Sequence, residues 1–354
     1  MTIRFRRSLK IAPGVHINFN KNSTSLSLGP RGAHYTMSST GRRTVSAGLP
    51  GTGLYATQTI NPKSASRKSA GSTPVESENL HQFPATPPAP TLFSRRAERD
   101  FYAFFKDIYG GDHSYTVDEI LTRAKALREQ YDSLIYPLNL IAFLHMINSD
   151  KYDELLLTEG AKIWAGREII FTDRLVVKYF KAIRPVTRIC EGISATEIFN
   201  KQQFGFIWVE ILQDGGRYDD ALAVLHEMEP TQLVAISMAD VELSKKDYPA
   251  VLETTEDIEN EDDATAILLI LRGMAFREQN LLDASLECMK LGLAKRGRSK
   301  EVLHRAHFER AGTYEKMGKP ALARKDLESI LVDDSSNAEV LDRIAKLDQG
   351  APSS

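Results

Sequence analysis

The stretch Gly216-Arg217-Tyr218-Asp219-Asp220-Ala221, followed by Leu225, decides the fold. A glycine, a tyrosine two residues later and an alanine three residues beyond it are typical of a tight turn between two closely packed helices. The small residue lets the helix backbones approach, and the tyrosine and leucine fill the space beside them. The stretch therefore predicts a helical hairpin centred on this turn.

The same frame recurs towards the C-terminus. It is repeated in whole or in part by Asp247, Tyr248, Gly273, Ala311, Tyr314, Gly318 and Ala323. The small residues Ala239, Gly273 and Ala311 are 34 and 38 residues apart, and the longer step contains the basic insert Lys295–Lys300. Because each hairpin buries its apolar stripe only against its neighbours, at least three are needed. We predict four helical hairpins over about 202–337 and a closing helix Asn337–Leu347. The alternative is a non-repetitive helical bundle.

This frame resembles the tetratricopeptide repeat family, closely over 201–347 and loosely over 96–200. The resemblance implies an all-α solenoid whose first helices line a groove for a peptide or protein. The groove would be lined by Phe206, Glu210, Ile236, Asp240, Ile270, Met274, Arg277, Arg305, Phe308 and Lys316. The residues that pack the repeats would be Tyr218, Ala221, Ala239, Tyr248, Gly273, Ala311, Tyr314 and Ala323.

The rest of the chain divides by composition. Residues 1–60 alternate apolar and polar residues between Gly/Pro turns, which predicts a small antiparallel β-hairpin domain. Residues 61–95 contain six prolines and many serines, which is typical of a disordered linker. Residues 96–200 show a helical period, with weaker, divergent repeats, and 348–354 form a short disordered tail. The predicted fold class is therefore α+β in sequence blocks: β domain, linker, then an all-α solenoid.

The N-terminal motifs also follow a known order. They are Arg4-Phe5-Arg6-Arg7-Ser8, Ile11-Ala12-Pro13-Gly14-Val15, Ser25-Leu26-Ser27-Leu28-Gly29, Gly32-Ala33 and Gly48-Leu49-Pro50-Gly51-Thr52-Gly53-Leu54. Over about 1–57 this pattern resembles the bacterial domain-of-unknown-function family numbered 4236. The resemblance implies a compact β module and a bacterial or phage origin, and it implies no activity.

Charge divides the chain at the same place. The formal charge is −2, yet residues 1–75 hold eleven basic and no acidic side chains, which leaves −13 for the remainder. The basic patch comprises Arg4, Arg6, Arg7, Arg42 and Arg43. Such a field attracts nucleic acid or an anionic surface. The alternatives are intramolecular docking on the acidic helical part, for which Glu256–Asp263 is the natural counter-surface, or plain solvation.

Several classes of protein have no support in the sequence. The apolar run Ile267–Leu271 is far shorter than the ~20 residues of a membrane helix, and two cysteines make no disulfide scaffold. The glycines at 48–53 lack the lysine and hydroxyl of a phosphate-binding loop. His304 and His307 lie three apart without a third metal ligand. We therefore expect a cytoplasmic protein that is not an enzyme and has no metal or cofactor.

The leading functional prediction is an adaptor that binds a peptide or protein through the helical-repeat groove. The alternatives left open are nucleic-acid or anionic-surface binding by residues 1–60 and docking of that module on the chain's own helices. Nothing in the sequence names the partner or the oligomeric state.

Overall fold

The computed structural model describes the part of the chain from residue 89 onwards and, before it, the backbone of six strands. The described ranges are 7–12, 15–20, 23–28, 33–38, 43–48, 55–60, 89–110, 115–147, 149–181, 183–295 and 297–350. Most of the predicted linker and the last four residues of the predicted tail lie outside them.

The six strands form one antiparallel sheet in which strands adjacent in sequence are hydrogen-bonded neighbours. They are β1 (Arg7–Ala12), β2 (Val15–Asn20), β3 (Ser23–Leu28), β4 (Ala33–Ser38), β5 (Arg43–Gly48) and β6 (Tyr55–Ile60). The register aligns Leu9 with Ile17, Ile17 with Leu26, and Leu26 with Met37. Since residues directly opposite each other share a face of a sheet, the alternating apolar positions of these strands lie on one face.

From residue 96 the described chain is mostly helical. Its helices are α1 (Arg96–Gly110), α2 (Val117–Gln130), α3 (Ile135–Met146), α4 (Asp153–Ala165), α5 (Arg167–Ile170), α6 (Arg174–Phe180), α7 (Lys201–Asp214), α8 (Tyr218–Glu227), α9 (Gln232–Lys245), α10 (Tyr248–Thr254), α11 (Asp263–Glu278), α12 (Leu282–Leu293), α13 (Lys300–Lys316), α14 (Pro320–Asp333) and α15 (Ala338–Gly350). The last helix begins where the closing helix was predicted, at the cap Asn337, and runs three residues past Leu347.

Four consecutive helical hairpins start at α7, α9, α11 and α13. Each of these first helices begins at a side chain that accepts a hydrogen bond from the backbone N–H three residues on. The caps are Asn200, Thr231, Asp262 and Ser299. Because such caps satisfy amide groups that the helix cannot, the four starting points are set by local sequence.

The four turns between paired helices are built alike. Each contains a left-handed residue, namely Gly216 (φ 71°), Lys246 (φ 67°), Asn280 (φ 62°) or Gly318 (φ 68°). The next amide bonds back five residues, as in Arg217 N to Leu212 O at 2.8 Å and Lys319 N to Tyr314 O at 2.9 Å. This is the Schellman ending of a helix. The repeat seen in the sequence is therefore a repeat of backbone geometry.

The small residues lie where paired helices cross. Ala239, Gly273 and Ala311 each precede their left-handed residue by seven positions and are buried. A Cβ added to Gly273 would lie 2.8 Å from Met289 Cε and 3.1 Å from Ser285 O, so a larger side chain has no room. Ala221 and Ala323 occupy the matching place in the second helices and are fully buried. Tyr218, Tyr248 and Tyr314 lie half-buried beside the turns.

The structure corrects the prediction of uninterrupted helices in one place. A two-stranded antiparallel hairpin, β7 (Val186–Cys190) and β8 (Ile193–Thr196), stands between α6 and α7. Cys190, which was expected on a helix, lies on β7. The turn Glu191-Gly192 joins the strands, and Gly192 has φ 97°, a conformation that favours glycine.

One continuous apolar core runs from Phe101 to Ala306, and a second, smaller one from Ala311 to Ile344. Aromatic rings join α1–α6 to the first repeat: the ring centroids of Phe143 and Phe204 are 5.0 Å apart. The larger core therefore crosses the predicted boundary between 96–200 and 201–347.

Candidate functional site

The side of the repeats formed by α7, α9, α11 and α13, which we call the first-helix face, is where the sequence predicted a groove. The hairpin β7–β8 lies against it. Strand β7 packs on α7 and α9. A Cβ added to Gly192 at the turn would lie 3.4 Å from Ile267 Cδ1 and 3.5 Å from Arg305 Cβ, so the turn contacts α11 and α13.

Polar bonds fasten the hairpin at its base. Gln203 Nε2 donates to Thr187 Oγ1 at 2.7 Å and to Pro185 O at 3.1 Å. Arg188 pairs with Glu210 at 3.6 Å. At the turn, Glu191 forms an ion pair with Arg305. Two residues of the predicted groove, Glu210 and Arg305, are thus occupied by the hairpin.

This arrangement corrects the prediction of an open groove. Six of its ten predicted lining residues are buried, with at most 8% of their surface exposed: Phe206, Ile236, Asp240, Ile270, Met274 and Arg305. Lys316 is exposed, and Glu210, Arg277 and Phe308 are half-buried. The sequence placed these residues on the right helices, but their periodicity carries no information about a strand pair packed over them.

A buried ion cluster lies between the two apolar cores, where the last turn of α11 meets the middle of α13. Glu309 Oε2 is 2.8 Å from Arg277 Nη1, and Glu309 Oε1 is 3.1 Å from Arg305 Nη2. Gly312 makes room for the arginines, because a Cβ there would lie 2.8 Å from Arg277 Nη1 and 2.9 Å from Arg343 Nη2.

Burial by itself would raise the pKa of Glu309, but Arg305, Arg277 and Arg343 outweigh it and hold that pKa at about 2. The carboxylate is therefore charged throughout the neutral range. Since a buried charge without a partner is costly, each arginine and each acid of the cluster depends on the others.

Beside this cluster the first-helix face remains open in a cleft of about 350 Å³, which we call the end cleft. It is lined by Gln213, Asp214, Tyr218, Leu243, Ser244, Lys246, Tyr248, Met274, Arg277 and Glu278. These are the last turns of three first helices and the first residues of two second helices. Two predicted groove residues, Met274 and Arg277, form part of its wall.

The end cleft offers mixed chemistry. Gln213 Nε2 donates to Asp240 Oδ2 and to Ser244 Oγ, both at 2.9 Å, so these polar groups are held in place. Within the described residues the hydroxyls of Tyr218 and Tyr248 have no hydrogen-bond partner. Most of the lining is polar or charged, and Leu243 and Met274 supply its aliphatic contacts, so the cleft offers hydrogen bonds and charge to a ligand.

A larger depression of about 720 Å³ lies between α1 and α2, far along the chain from the repeats. Its two acids already have partners: Asp107 pairs with Arg123 at 2.7 Å, and Asp100 accepts a hydrogen bond from the Tyr131 hydroxyl at 2.6 Å. The end cleft is the better candidate because its tyrosine hydroxyls are available.

The remaining candidates lie elsewhere. Arg7 begins β1 at the edge of the sheet and Arg43 begins β5 inside it, whereas Arg4, Arg6 and Arg42 lie outside the described residues. Nucleic-acid binding or intramolecular docking by this segment stays a prediction.

The two histidines of α13 face different carboxylates of α14. His304 Nε2 is 3.4 Å from Asp333, and His307 Nδ1 is 2.9 Å from Asp326. In the described ranges no three His, Cys, Asp or Glu side chains are grouped as metal ligands.

The basic insert has a structural role that the sequence did not predict. Arg298 bonds to Asn260 and lies 3.7 Å from Asp263, and only 5% of its side chain is exposed. Arg298 therefore already supplies a positive charge to part of the acidic segment Glu256–Asp263.

Sequence reasoning missed the hairpin and the ion cluster. The hairpin had a signal: Thr187 and Ile189 alternate with Arg188 before the turn Glu191-Gly192, and the β-branched Ile193 and Thr196 follow it. The cluster had none, since Arg277, Arg305 and Glu309 look like ordinary polar positions of amphipathic helices.

Comparisons with known proteins cover both parts of the chain. Residues 3–57 match the family described as protein of unknown function (DUF4236), which confirms the N-terminal resemblance. No curated protein matches the sequence significantly. Three solved chains match the structure. One is the N-terminal domain of the EccA1 ATPase from the ESX-1 secretion system of Mycobacterium tuberculosis, with 13% identity, a TM-score of 0.51, and 71% of this chain and 88% of that chain covered.

At 13% identity the likeness is one of fold alone. It establishes that the helical part adopts an architecture found in a solved domain. None of the helices in the described part of the chain has both the length and the apolar character that a bilayer crossing requires.

Proposed function

We propose that this protein is a non-enzymatic adaptor whose tetratricopeptide-like repeats bind an extended peptide segment of another protein in the end cleft. One observation carries the proposal. The last turns of α7, α9 and α11 meet at a cleft in which two tyrosine hydroxyls have no partner among the described residues. A peptide backbone supplies a donor and an acceptor at every residue, which is what two free hydroxyls can bind.

The lining supports a segment with mixed side chains. Met274 and Leu243 supply apolar contact, while Arg277, Glu278 and Lys246 supply charge at the rim. The fold likeness adds support of a general kind, because the matching domain belongs to an ATPase of a secretion system.

The test measures peptides on the full-length protein. A displayed library of random peptides is selected on the wild type, and labelled hits are titrated by fluorescence anisotropy. The variant Tyr218→Phe with Tyr248→Phe removes both hydroxyls and keeps both rings. At ~0.5–1.5 kcal/mol for each lost hydrogen bond, the double variant binds about 5- to 150-fold more weakly.

The matched control is Tyr314→Phe, a tyrosine of the last repeat outside the cleft. It leaves the affinity unchanged. The proposal is refuted if selection enriches no peptide, or if the double variant binds the selected peptides as tightly as the wild type.

A further inference from the structure

The turn of the β7–β8 hairpin brings a carboxylate to a buried arginine. Glu191 pairs with Arg305, and 3% of the Arg305 side chain is exposed against 29% for Glu191. The arginine belongs to the first-helix face, and the acid arrives from a separate element. Arg305 therefore acts as a binding residue of the first-helix face, and Glu191 is the side chain bound to it.

The charges around the cluster show why an occupant is needed. Glu309 lies between Arg277 and Arg305 and serves both. Arg277 has a second acid, Glu278, at 3.2 Å, and Glu191 is the corresponding second acid for Arg305. Without Glu191, the buried Arg305 would share the single carboxylate of Glu309 with Arg277. The position left by Glu191 would therefore favour binding of another negatively charged group.

The hairpin is fastened differently at its two ends. Its base is held by the Gln203 bonds to Pro185 and Thr187 and by a backbone bond from Phe199 N to Ile183 O at 2.9 Å. The pairing of β7 with β8 shifts register between Arg188 and Cys190. Such an irregularity interrupts the ladder and separates the turn, Cys190–Ile193, from the anchored base.

The arginine site adjoins the end cleft, with Met274 between Arg305 and the cleft. Arg305 Nη2 lies 3.3 Å from Met274 Sδ, and Met274 and Arg277 form the cleft wall. A segment bound in the cleft therefore ends within one side chain of Arg305.

We propose that the turn Cys190–Ile193 is a latch in which Glu191 holds the place of an acidic side chain of the bound peptide. An acidic segment that enters the end cleft displaces the turn and pairs with Arg305, while the base of the hairpin stays in place. The inference rests on the proposed function and adds to it the chemistry of the partner and the regulation of the site.

The test uses the full-length protein and two labelled decapeptides, one rich in Asp and Glu and the other its Asn and Gln counterpart. The variant Glu191→Gln removes the resident charge and keeps the side-chain size. A latch closed about nine-tenths of the time lowers the apparent affinity about tenfold. We therefore expect the acidic peptide to bind Glu191→Gln about tenfold more tightly than wild type, and the amide peptide to bind both alike.

Arg188→Gln is the matched control, because it breaks an ion pair of the same hairpin at its base. It leaves the affinity for the acidic peptide at the wild-type value. Equal affinity of wild type and Glu191→Gln for the acidic peptide overturns the latch, and so does an equal gain for the amide peptide. If circular dichroism shows that Glu191→Gln does not fold, Glu191→Asp replaces it: the shorter acid gives a smaller gain, and no gain overturns the latch.

The two proposals fail separately. The tyrosine variants keep Glu191 and report on the end cleft alone. Loss of peptide binding in Tyr218→Phe with Tyr248→Phe, together with no effect of Glu191→Gln, leaves the proposed function standing and removes the latch.

Discussion

Replacing Glu309 by glutamine tests whether the buried ion cluster stabilises the repeats. The side chain is 9% exposed and bridges Arg277 at 2.8 Å and Arg305 at 3.1 Å. Glutamine keeps its size and removes its charge. The variant therefore leaves the helices packed as before and takes the shared counter-charge from two buried arginines.

The size of the effect follows from the pKa of the carboxyl, which is about 2 in the folded protein against an ordinary value of 4.5. At about 1.4 kcal/mol per pKa unit, the charge contributes about 3 kcal/mol to the free energy of unfolding. Because the folded pKa is the lower one, this contribution is complete above pH 4.5 and is lost as the pH falls towards 2. The free energy of unfolding of Glu309→Gln is thus lower than that of the wild type by about 3 kcal/mol at pH 7 and by about half as much at pH 3.

Urea denaturation followed by far-UV circular dichroism measures both values. Carboxylates outside the cluster titrate alike in the two proteins, so the difference between their free energies of unfolding isolates the ion cluster. The control Glu328→Gln removes an acid that is 53% exposed and pairs with Arg324 at 2.8 Å. This substitution changes the free energy of unfolding only slightly, because solvent-exposed ion pairs contribute little to stability. A deficit under about 1 kcal/mol at pH 7, or one that does not narrow at pH 3, refutes the reasoning.

Three further outcomes are expected. Lys246→Gly raises the free energy of unfolding by about 0.5–1 kcal/mol, because φ is 67° there; an unchanged urea midpoint would contradict this. Gly273→Val lowers the free energy of unfolding by about 1–3 kcal/mol through overpacking against Ser285. An unchanged free energy of unfolding in the same assay would show that α11 and α12 can move apart to admit the side chain. Cys288 is buried, and burial raises its pKa, so a thiol reagent does not modify Cys288 until urea is added; rapid labelling of Cys288 in the native protein would count against the fold.

Much of the helical architecture was accessible from the sequence, because its causes are local. Gly216 and Gly318 mark turns that require a left-handed residue, and Ala239, Gly273 and Ala311 mark helix crossings that admit no larger side chain. At the other two turns Lys246 and Asn280 take the left-handed position in place of glycine, and these hairpins were predicted from Tyr248 and Gly273 instead. The extent of α15 past Leu347 was missed because helix ends depend weakly on sequence.

The candidate site was less accessible. Of the predicted groove residues, Met274 and Arg277 lie at the wall of the end cleft, whereas Phe206, Ile236 and Ile270 are buried. Helical periodicity identifies a face and is silent on what packs against it. Here the cover is a hairpin from outside the repeats, so the error arose from a long-range contact.

By itself, then, the sequence determined the charge division at about residue 75, the resemblance of residues 3–57 to an uncharacterised family, and the period of the helical hairpins. These properties depend on residue type and on neighbours within a few positions. Only the tertiary structure decided that β7–β8 fills the first-helix face, that Arg277, Arg305 and Glu309 share one buried site, and that the end cleft stays open. Each depends on contacts between side chains from distant segments of the chain. A local sequence pattern does not predict which long-range contacts form or how much energy they contribute.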